Sequence, residues 1–211
     1  MLSMTEQAPT VQLVIESTTA ACSVALIGPD DIIVAERHEI VGRGHAERLM
    51  PMIGELLEGR RPASILVDCG PGSFTGVRVG LAAAHGLAIG WRVPLAGYCS
   101  LALLGAAHRD ASELGVAVEG GHGELFVQSY GGDPLAATTG LRSLAPSAAA
   151  LFLSADLVVG SGAELVVAAR GHGRAVAALP RAADARLLPP ALRSLPARPI
   201  YGRAPDAKPM T

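Results

Sequence analysis

His45, Glu47 and Arg48 make the most enzyme-like cluster of this chain. His45-x-Glu47 has the form of the H-x-E half of a zinc deaminase site, where the histidine binds metal and the glutamate moves protons. The P-C-x-x-C half that completes such a site occurs nowhere in the sequence. A metal pair on one helix face needs a second ligand one turn away, but the positions one turn before and after His45 are Val41 and Leu49. His38, His85, His108, His122 and His172 show no ligand spacing either. A lone histidine at a helix start is expected as a capping or interface residue, so neither a metal site nor a catalytic residue is read here. Gly72-Ser73-Phe74 lacks the spacing of a G-x-S-x-G nucleophile elbow. Cys69 and Cys99 have no base near them in sequence, and Asp30-Asp31 read as solvated turn acids.

The second place is the run Cys69-Gly70-Pro71-Gly72-Ser73-Phe74-Thr75-Gly76-Val77-Arg78-Val79-Gly80. It follows the apolar strand Ile65 to Val67 and leads into a small-residue helix ending near Gly90. Glycines around a proline let the backbone turn sharply and approach a neighbour closely. Ser73 or Thr75 can cap the helix, whose first N–H groups favour anions. The Lys-Ser/Thr pair of a Walker A loop is absent, with Val77-Arg78 in its place, and the third glycine of a dinucleotide fingerprint is misplaced. The run therefore reads equally as a strand-to-helix packing device or as a ligand loop.

The elements that must position these residues follow from periodicity. Val11 to Ile15, Ser23 to Ile27 and Ile32 to His38 read as strands, parted by a Ser/Thr turn at Ser17 to Thr19 and by Gly28-Pro29-Asp30-Asp31. A helix carries Leu49, Met52, Ile53, Leu56 and Leu57 on one face, and Pro51 is expected to kink it or mark its start. Strand, Gly-rich turn and helix follow, then a short strand to Gly97 and a helix from Ser100 to about His108. The order βββαβαβα is the core of the actin/hexokinase-like (ASKHA) α/β fold. Val116 to Glu119 and Leu125 to Tyr130, joined by Gly120 to Gly123, open a second round. We therefore expect two βββαβα-type subdomains, residues 1–108 and a smaller, degenerate 109–211, with the tail packing back on the first. Between Gly131 and Pro189 the chain is Ala/Leu-rich and poorly punctuated, apart from a strand at Leu157 to Val159 and a loop from Pro189-Pro190 to Pro199.

Composition narrows the function. Only 3% of residues are aromatic although half are apolar, so the core must be built from Ala, Val and Leu. Val79 to Trp91, the longest apolar stretch, contains His85 and is too short to span a bilayer. Met1 to Thr10 shows neither a basic n-region nor an apolar h-region. Cys22, Cys69 and Cys99 lack paired spacing and read as reduced thiols of a cytoplasmic protein. The net charge is −2, and the basic residues are dispersed arginines with a single lysine, Lys208. A protein that grips nucleic acid unaided shows a basic face or stripe, and none is evident.

What remains is an interaction surface. Gly76, Gly80, Ala83, Ala84 and Leu87 form a small-residue stripe that lets two helix backbones approach closely, and Leu49, Met52, Ile53 and Leu56 add an adaptable apolar face. From spacing alone, burial of both stripes in the chain's own core is the better account.

Gly70-Pro71-Gly72-Ser73-Phe74-Thr75-Gly76 followed by Val77-Arg78-Val79-Gly80 is similar to the signature of the TsaB (also called YeaZ) family. That family is the non-catalytic partner of the enzyme that places threonylcarbamoyl on a tRNA adenosine. Four further segments agree in order. Leu13-Val14-Ile15 through Cys22-Ser23-Val24-Ala25-Leu26 resembles the first hairpin, and Gly44-His45-Ala46-Glu47-Arg48-Leu49-Met50-Pro51-Met52-Ile53 the first long helix. Gly123-Glu124-Leu125-Phe126-Val127 resembles the second-half hairpin, and Pro205-Asp206-Ala207-Lys208-Pro209 the tail. The resemblance implies a scaffold without catalytic or metal-binding residues, pairing through the two stripes with a TsaD-type catalytic subunit. A TsaE-type ATPase is a further implied partner, tRNA is met only through the complex, and a homodimer is an alternative pairing. Glu16, Ser17 and Thr18 occupy the place where actin-like ATPases contact nucleotide. They are candidate vestigial contacts for ATP or ADP within the complex, or simply close a hairpin turn. Glu16 departs from the family's usual aspartate by one methylene. The alternative is a stand-alone actin-like-fold ATPase or metallohydrolase.

Overall fold

Strict alternation builds the first lobe. In β1 (Gln12–Glu16), Leu13 and Ile15 enter one apolar cluster while Val14 enters another on the opposite face. β2 (Ala21–Ile27) and β4 (Ser64–Asp68) divide in the same way, so all three strands are buried on both sides, as central strands of a covered sheet must be. With β3 (Ile33–Ile40) and β5 (Leu95–Tyr98) they form a five-stranded sheet in the order β3-β2-β1-β4-β5. The pairs β1–β2 and β2–β3 are antiparallel, whereas β1–β4 and β4–β5 are parallel. Each parallel step is spanned by a helix, α1 (His45–Leu57) or α2 (Phe74–Trp91). Both cover the same sheet face, where Leu49, Met52, Leu56, Val77 and Ala84 pack on Leu13, Ile15 and Ile65.

The structure, a computed structural model, describes residues 10–202. The tail segment Pro205 to Pro209 lies outside the described residues, as do residues 1–9.

After α3 (Ser100–Ala107) the plan starts again with β6 (Glu113–Glu119), β7 (Leu125–Gly131), β8 (Ala136–Ala137) and β9 (Arg142–Leu144). It continues through α4 (Pro146–Phe152), β10 (Leu157–Val159), α5 (Ala163–Arg170) and β11 (Arg174–Val176). These strands form a second sheet in the order β11-β10-β6-β7-β8, with β9 also on β7. The repeated plan of antiparallel strands followed by helix-linked parallel strands is an actin-like, two-lobed α/β architecture.

One apolar cluster joins the lobes: Val14 and Leu66 from the first sheet meet α3, Leu114, Val116 and Val159. The 3-10 turn Ala182–Leu187 belongs to this cluster and lies under the first sheet, tied by Ala182 N–H donating to Ser23 Oγ at 3.0 Å. The chain then runs along the edge of the first lobe. Leu195 bridges Gly97, and Ile200 N–H donates to the Cys69 carbonyl at 2.7 Å.

One expectation needs correction, and one stretch gains elements that the sequence did not mark. α1 begins at His45 and runs on past Pro51, which lies on its exposed face; the proline does not mark the start. The stretch after Gly131, which offered little punctuation, contains among the described residues the expected strand at Leu157–Val159, two α-helices, three further strands and two 3-10 turns, all short. Among the described residues no helix is long and apolar enough to cross a membrane.

Candidate functional site

The Gly-rich run and the first hairpin press against each other. A Cβ on Gly72 would lie 2.1 Å from the Thr18 carbonyl oxygen, and one on Gly76 would lie 2.0 Å from that of Ser17. A Cβ on Gly80 would lie 2.4 Å from Ser17 Oγ. Backbone closes the Gly72 and Gly76 positions to any side chain, whereas at Gly80 a side chain would have to push the Ser17 hydroxyl off its bond to the Gly76 carbonyl. Ser73 N–H donates to the Thr18 carbonyl at 2.6 Å, and Ser17 Oγ donates to the Gly76 carbonyl at 2.9 Å. Ser73 is the N-cap of α2, its Oγ accepting from Gly76 N–H at 3.3 Å. In this chain the run packs a hairpin onto a helix.

Beneath the contact lie two carboxyls, Glu16 at the end of β1 and Asp68 at the end of β4, 0% and 1% exposed. Glu16 Oε1 accepts from Thr18 N–H and from Thr18 Oγ1, both at 2.7 Å. Asp68 Oδ1 accepts from Gly70 N–H at 2.7 Å, and its Oδ2 stands 3.3 Å from Thr18 Oγ1. Glu16 Oε2 is buried with no hydrogen-bond partner. Burial pushes the Glu16 carboxyl up to about 7. Burial and the neighbouring Glu16 charge hold Asp68 well above the usual carboxylate range.

The sequence-derived site residues are placed as follows. Glu16, Ser17 and Thr18 are at most 1% exposed, and their polar groups are engaged as described, apart from the orphan Oε2. They form the floor of the contact, and Thr18 also lines the cavity between the lobes. Leu49, Met52, Ile53 and Leu56 are buried in the core of the first lobe. Gly76, Gly80 and Ala84 are also buried, the two glycines against Ser17. Ala83 and Leu87 are half-buried against the same core. The stripes chosen as a partner surface are therefore the inward faces of α1 and α2.

The outward faces carry a different set, which sequence reasoning missed. Met50 and Ile89 stand 47% and 77% exposed. Gly54, Gly86 and Gly90 have no atom within 4 Å of a Cβ position. The two helices contact each other, so these residues belong to adjoining helix surfaces. Arg78 and His85, seven apart and both exposed, mark one side of α2, but the rest of the helix is apolar or small, so periodicity could not tell its remaining faces apart. Asp68 was also missed, although an acid closing an apolar strand before a Gly-rich turn was a visible signal.

His45 is buried, with Nε2 3.0 Å from the Ala21 carbonyl, and anchors the start of α1 to β2. Arg48 forks between Glu39 at 2.6 Å and Glu55 at 2.8 Å. Among the described residues no group of three or more His, Cys, Asp or Glu side chains is placed to hold a metal ion.

Between the lobes lies a cavity of about 1010 Å³, lined by Thr18, Gly72, Arg43, Phe74 and Tyr201 from the first lobe and the chain along it, and by Gly121 and Phe126 from the second. The Arg78 guanidinium stacks 3.5 Å over the Phe74 ring at its rim.

Comparison with known proteins fits this architecture. The family model described as TsaD, tRNA N6-adenosine threonylcarbamoyltransferase, matches residues 34–150. An uncharacterized protein of Mycobacterium tuberculosis, Rv3421c, is 32% identical over 94% of both chains. The tRNA threonylcarbamoyladenosine biosynthesis protein TsaB of Escherichia coli is 34% identical over 126 residues, 56% of this chain and 54% of that one. The solved structure of YeaZ from Pseudomonas aeruginosa superposes with a TM-score of 0.74 at 25% identity, covering 91% of this chain and 99% of that chain. Near full-length similarity, the Gly-rich hairpin contact and the two-lobed plan agree: the chain belongs to the TsaB (YeaZ) family.

Proposed function

We propose that this chain is the non-catalytic subunit of the assembly that makes N6-threonylcarbamoyladenosine in tRNA, and that it holds a TsaD-type catalytic subunit in its active arrangement. Beside family membership, the supporting observation is the adjoining outward surface of α1 and α2. There Met50 and Ile89 are exposed next to glycines that meet nothing in their own chain. Small residues let a partner helix come close, while the two large apolar side chains supply area that gains from burial. A partner that binds only one arrangement of the catalytic subunit shifts its population toward that arrangement.

The assembly works in the cytoplasm with a TsaE-type ATPase, and tRNA is gripped by the assembly, not by this near-neutral chain. Without the catalytic subunit the same surface pairs two copies of this chain. ATP or ADP meets this chain only within the assembly and in the interlobe cavity, where Arg43 and Arg78 supply charge and Phe74 and Tyr201 supply rings. Thr18 lines that cavity, and Glu16 and Ser17 lie behind it.

Co-expression with the TsaD-type protein of the same genome tests the reading. A stoichiometric complex should form, and tRNA modification should require both chains and the ATPase. Substantial ATP hydrolysis or tRNA modification by the purified chain alone would favour a stand-alone ATPase or metallohydrolase instead.

A further inference from the structure

We propose that Glu16 and Asp68 hold a shared proton beneath the first turn of α2, and that losing it loosens the Thr18–Ser73 contact and with it the outward face of α2. The link from that face to a partner rests on the function proposed above; the proton itself does not.

Hydrogen counting carries the first half. Thr18 Oγ1 has one hydrogen to give, and it stands 2.7 Å from Glu16 Oε1 and 3.3 Å from Asp68 Oδ2. If the hydroxyl donates to Glu16, its contact with Asp68 is a hydrogen bond only when Asp68 carries a proton. If it donates to Asp68, Glu16 keeps one donor, Thr18 N–H, for two buried oxygens. Either way, two ionised carboxyls leave buried charge unanswered, which is costly without a cation. Asp68 is also met by the backbone of Ser100 beside Gly70 N–H, whereas Glu16 is met by Thr18 alone. Among the described residues no arginine or lysine bonds either carboxyl.

The titratable groups facing the pair come from several elements. Under the sheet, the 3-10 turn carries Asp184, itself raised by burial. Cys69 and Cys99, thiols kept protonated by burial, lie within reach of Asp68. From β5, the Tyr98 hydroxyl donates to the Ile15 carbonyl at 3.2 Å, and burial holds it in the phenol form. From β2, Cys22 is a buried thiol kept protonated. α1 presents His45, bound to the Ala21 carbonyl, and its Arg48 is taken by Glu39 and Glu55. α2 presents Gly76 and Gly80.

The second half follows from connectivity. Thr18 bonds Glu16 through its N–H and hydroxyl, and bonds the N-cap of α2 through its carbonyl. Repulsion between two carboxylates at Thr18 therefore acts on the residue that seats the helix. Glu16 is raised from 4.5 to about 7 in the seated state, so that state binds the proton more tightly. Its advantage is complete below about 4.5, declines by up to about tenfold per pH unit through the window up to about 7, and is then level. Asp68 is shifted in the same direction, which extends the window upward.

The experiment uses the full chain, its Glu16→Gln and Asp68→Asn variants, and the complex with the TsaD-type subunit. Isotope-edited infrared spectra of the wild type should show a protonated carboxyl band near neutral pH that titrates away as pH rises. Each variant should weaken or lose that titration. Affinity for the partner should fall severalfold between about pH 5 and about pH 8 for the wild type, and stay nearly level for both variants. Absence of a protonated carboxyl at neutral pH overturns the proposal. So does removal of that band by millimolar magnesium, which would make the pair a cation site. A titrating band with a pH-independent affinity overturns the coupling to α2. Failure to bind the partner at any pH counts against the proposed function and leaves the infrared result to decide the proton.

Discussion

The carbonyl oxygen of Thr18 accepts the N–H of Ser73 at 2.6 Å and stands 2.1 Å from where a Cβ on Gly72 would be. A hairpin turn and a helix N-cap thus share one backbone contact with no room for a side chain. Nearby, the Gly76 position is closed by the Ser17 carbonyl. Backbone cannot retreat as the end of a flexible side chain can.

Gly72→Ala and Gly76→Ala should therefore each destabilise the chain by about 1–3 kcal/mol or more, the scale of overpacking. Gly86→Ala, on the open face of the same helix, should be neutral or slightly stabilising, since alanine is the better helix former by roughly 1 kcal/mol. Chemical denaturation of the three variants checks this. A destabilised Gly86→Ala or an unaffected Gly76→Ala would contradict the contact.

The core strands were legible because Leu13, Val14 and Ile15 alternate between two buried faces and are bounded by turn residues. The actin-like order followed from those strands and the two helices. The faces of α2 were not legible. Gly76 and Gly80 repeat at helical spacing, but so do Gly86 and Gly90, and only the approach of Ser17, dozens of residues away in sequence, makes the first pair the inner one. In the second lobe β6, β7 and β10 were legible beside their glycine turns, but β8, β9 and β11, at most 3 residues long and without such punctuation, were too short for alternation to register.

The thiols should be inert. Burial pushes Cys22 and Cys69 up to about 12 and Cys99 to about 11. At about pH 8 the reactive thiolate is then on the order of a thousandth of each or less. Ellman's reagent should label the native chain very slowly and all three cysteines promptly in guanidinium. Rapid native labelling of one thiol would show that its surroundings open.

Arg48 gives an acid-side signature. It holds the Glu39 and Glu55 carboxyls below their usual 4.5 through hydrogen bonds and charge. Such groups add stability above about 4.5 that is lost as pH falls through their lowered values. Arg48→Gln should move both carboxyl titrations up toward 4.5 in carbon-detected NMR, with little change in stability at neutral pH because the pair is solvent-exposed. Unmoved titrations would mean that the fork between Glu39 and Glu55 does not persist in solution.

His45 should behave as a strut. Its buried Nε2 meets the Ala21 carbonyl at 3.0 Å, so His45→Ala removes a hydrogen bond and opens a small void. Together these should cost about 1–3 kcal/mol. The metal content of a complex with the catalytic subunit should not change. Loss of metal from an otherwise intact complex would give His45 a ligand role.

The decisive comparison sets the two faces of α2 against each other. Gly80 looks inward, where a Cβ would lie 2.4 Å from Ser17 Oγ. Gly80→Leu should therefore damage the monomer itself, and any loss of pairing would come with a lowered melting temperature. Gly86 and Ile89 look outward, one bare and one 77% exposed. Gly86→Arg and Ile89→Asp should leave the monomer melting within a few degrees of wild type. If this face seats a partner helix, each should weaken pairing at least about tenfold, because a charge must then be buried in an apolar contact. Leu49→Ala is the matching control on α1. Deleting that buried side chain should cost about 2–5 kcal/mol of stability and affect pairing only through folding. Gel filtration with the catalytic subunit, alongside monomer melting curves, separates the cases. Intact pairing in Gly86→Arg and Ile89→Asp would move the partner surface off these helices.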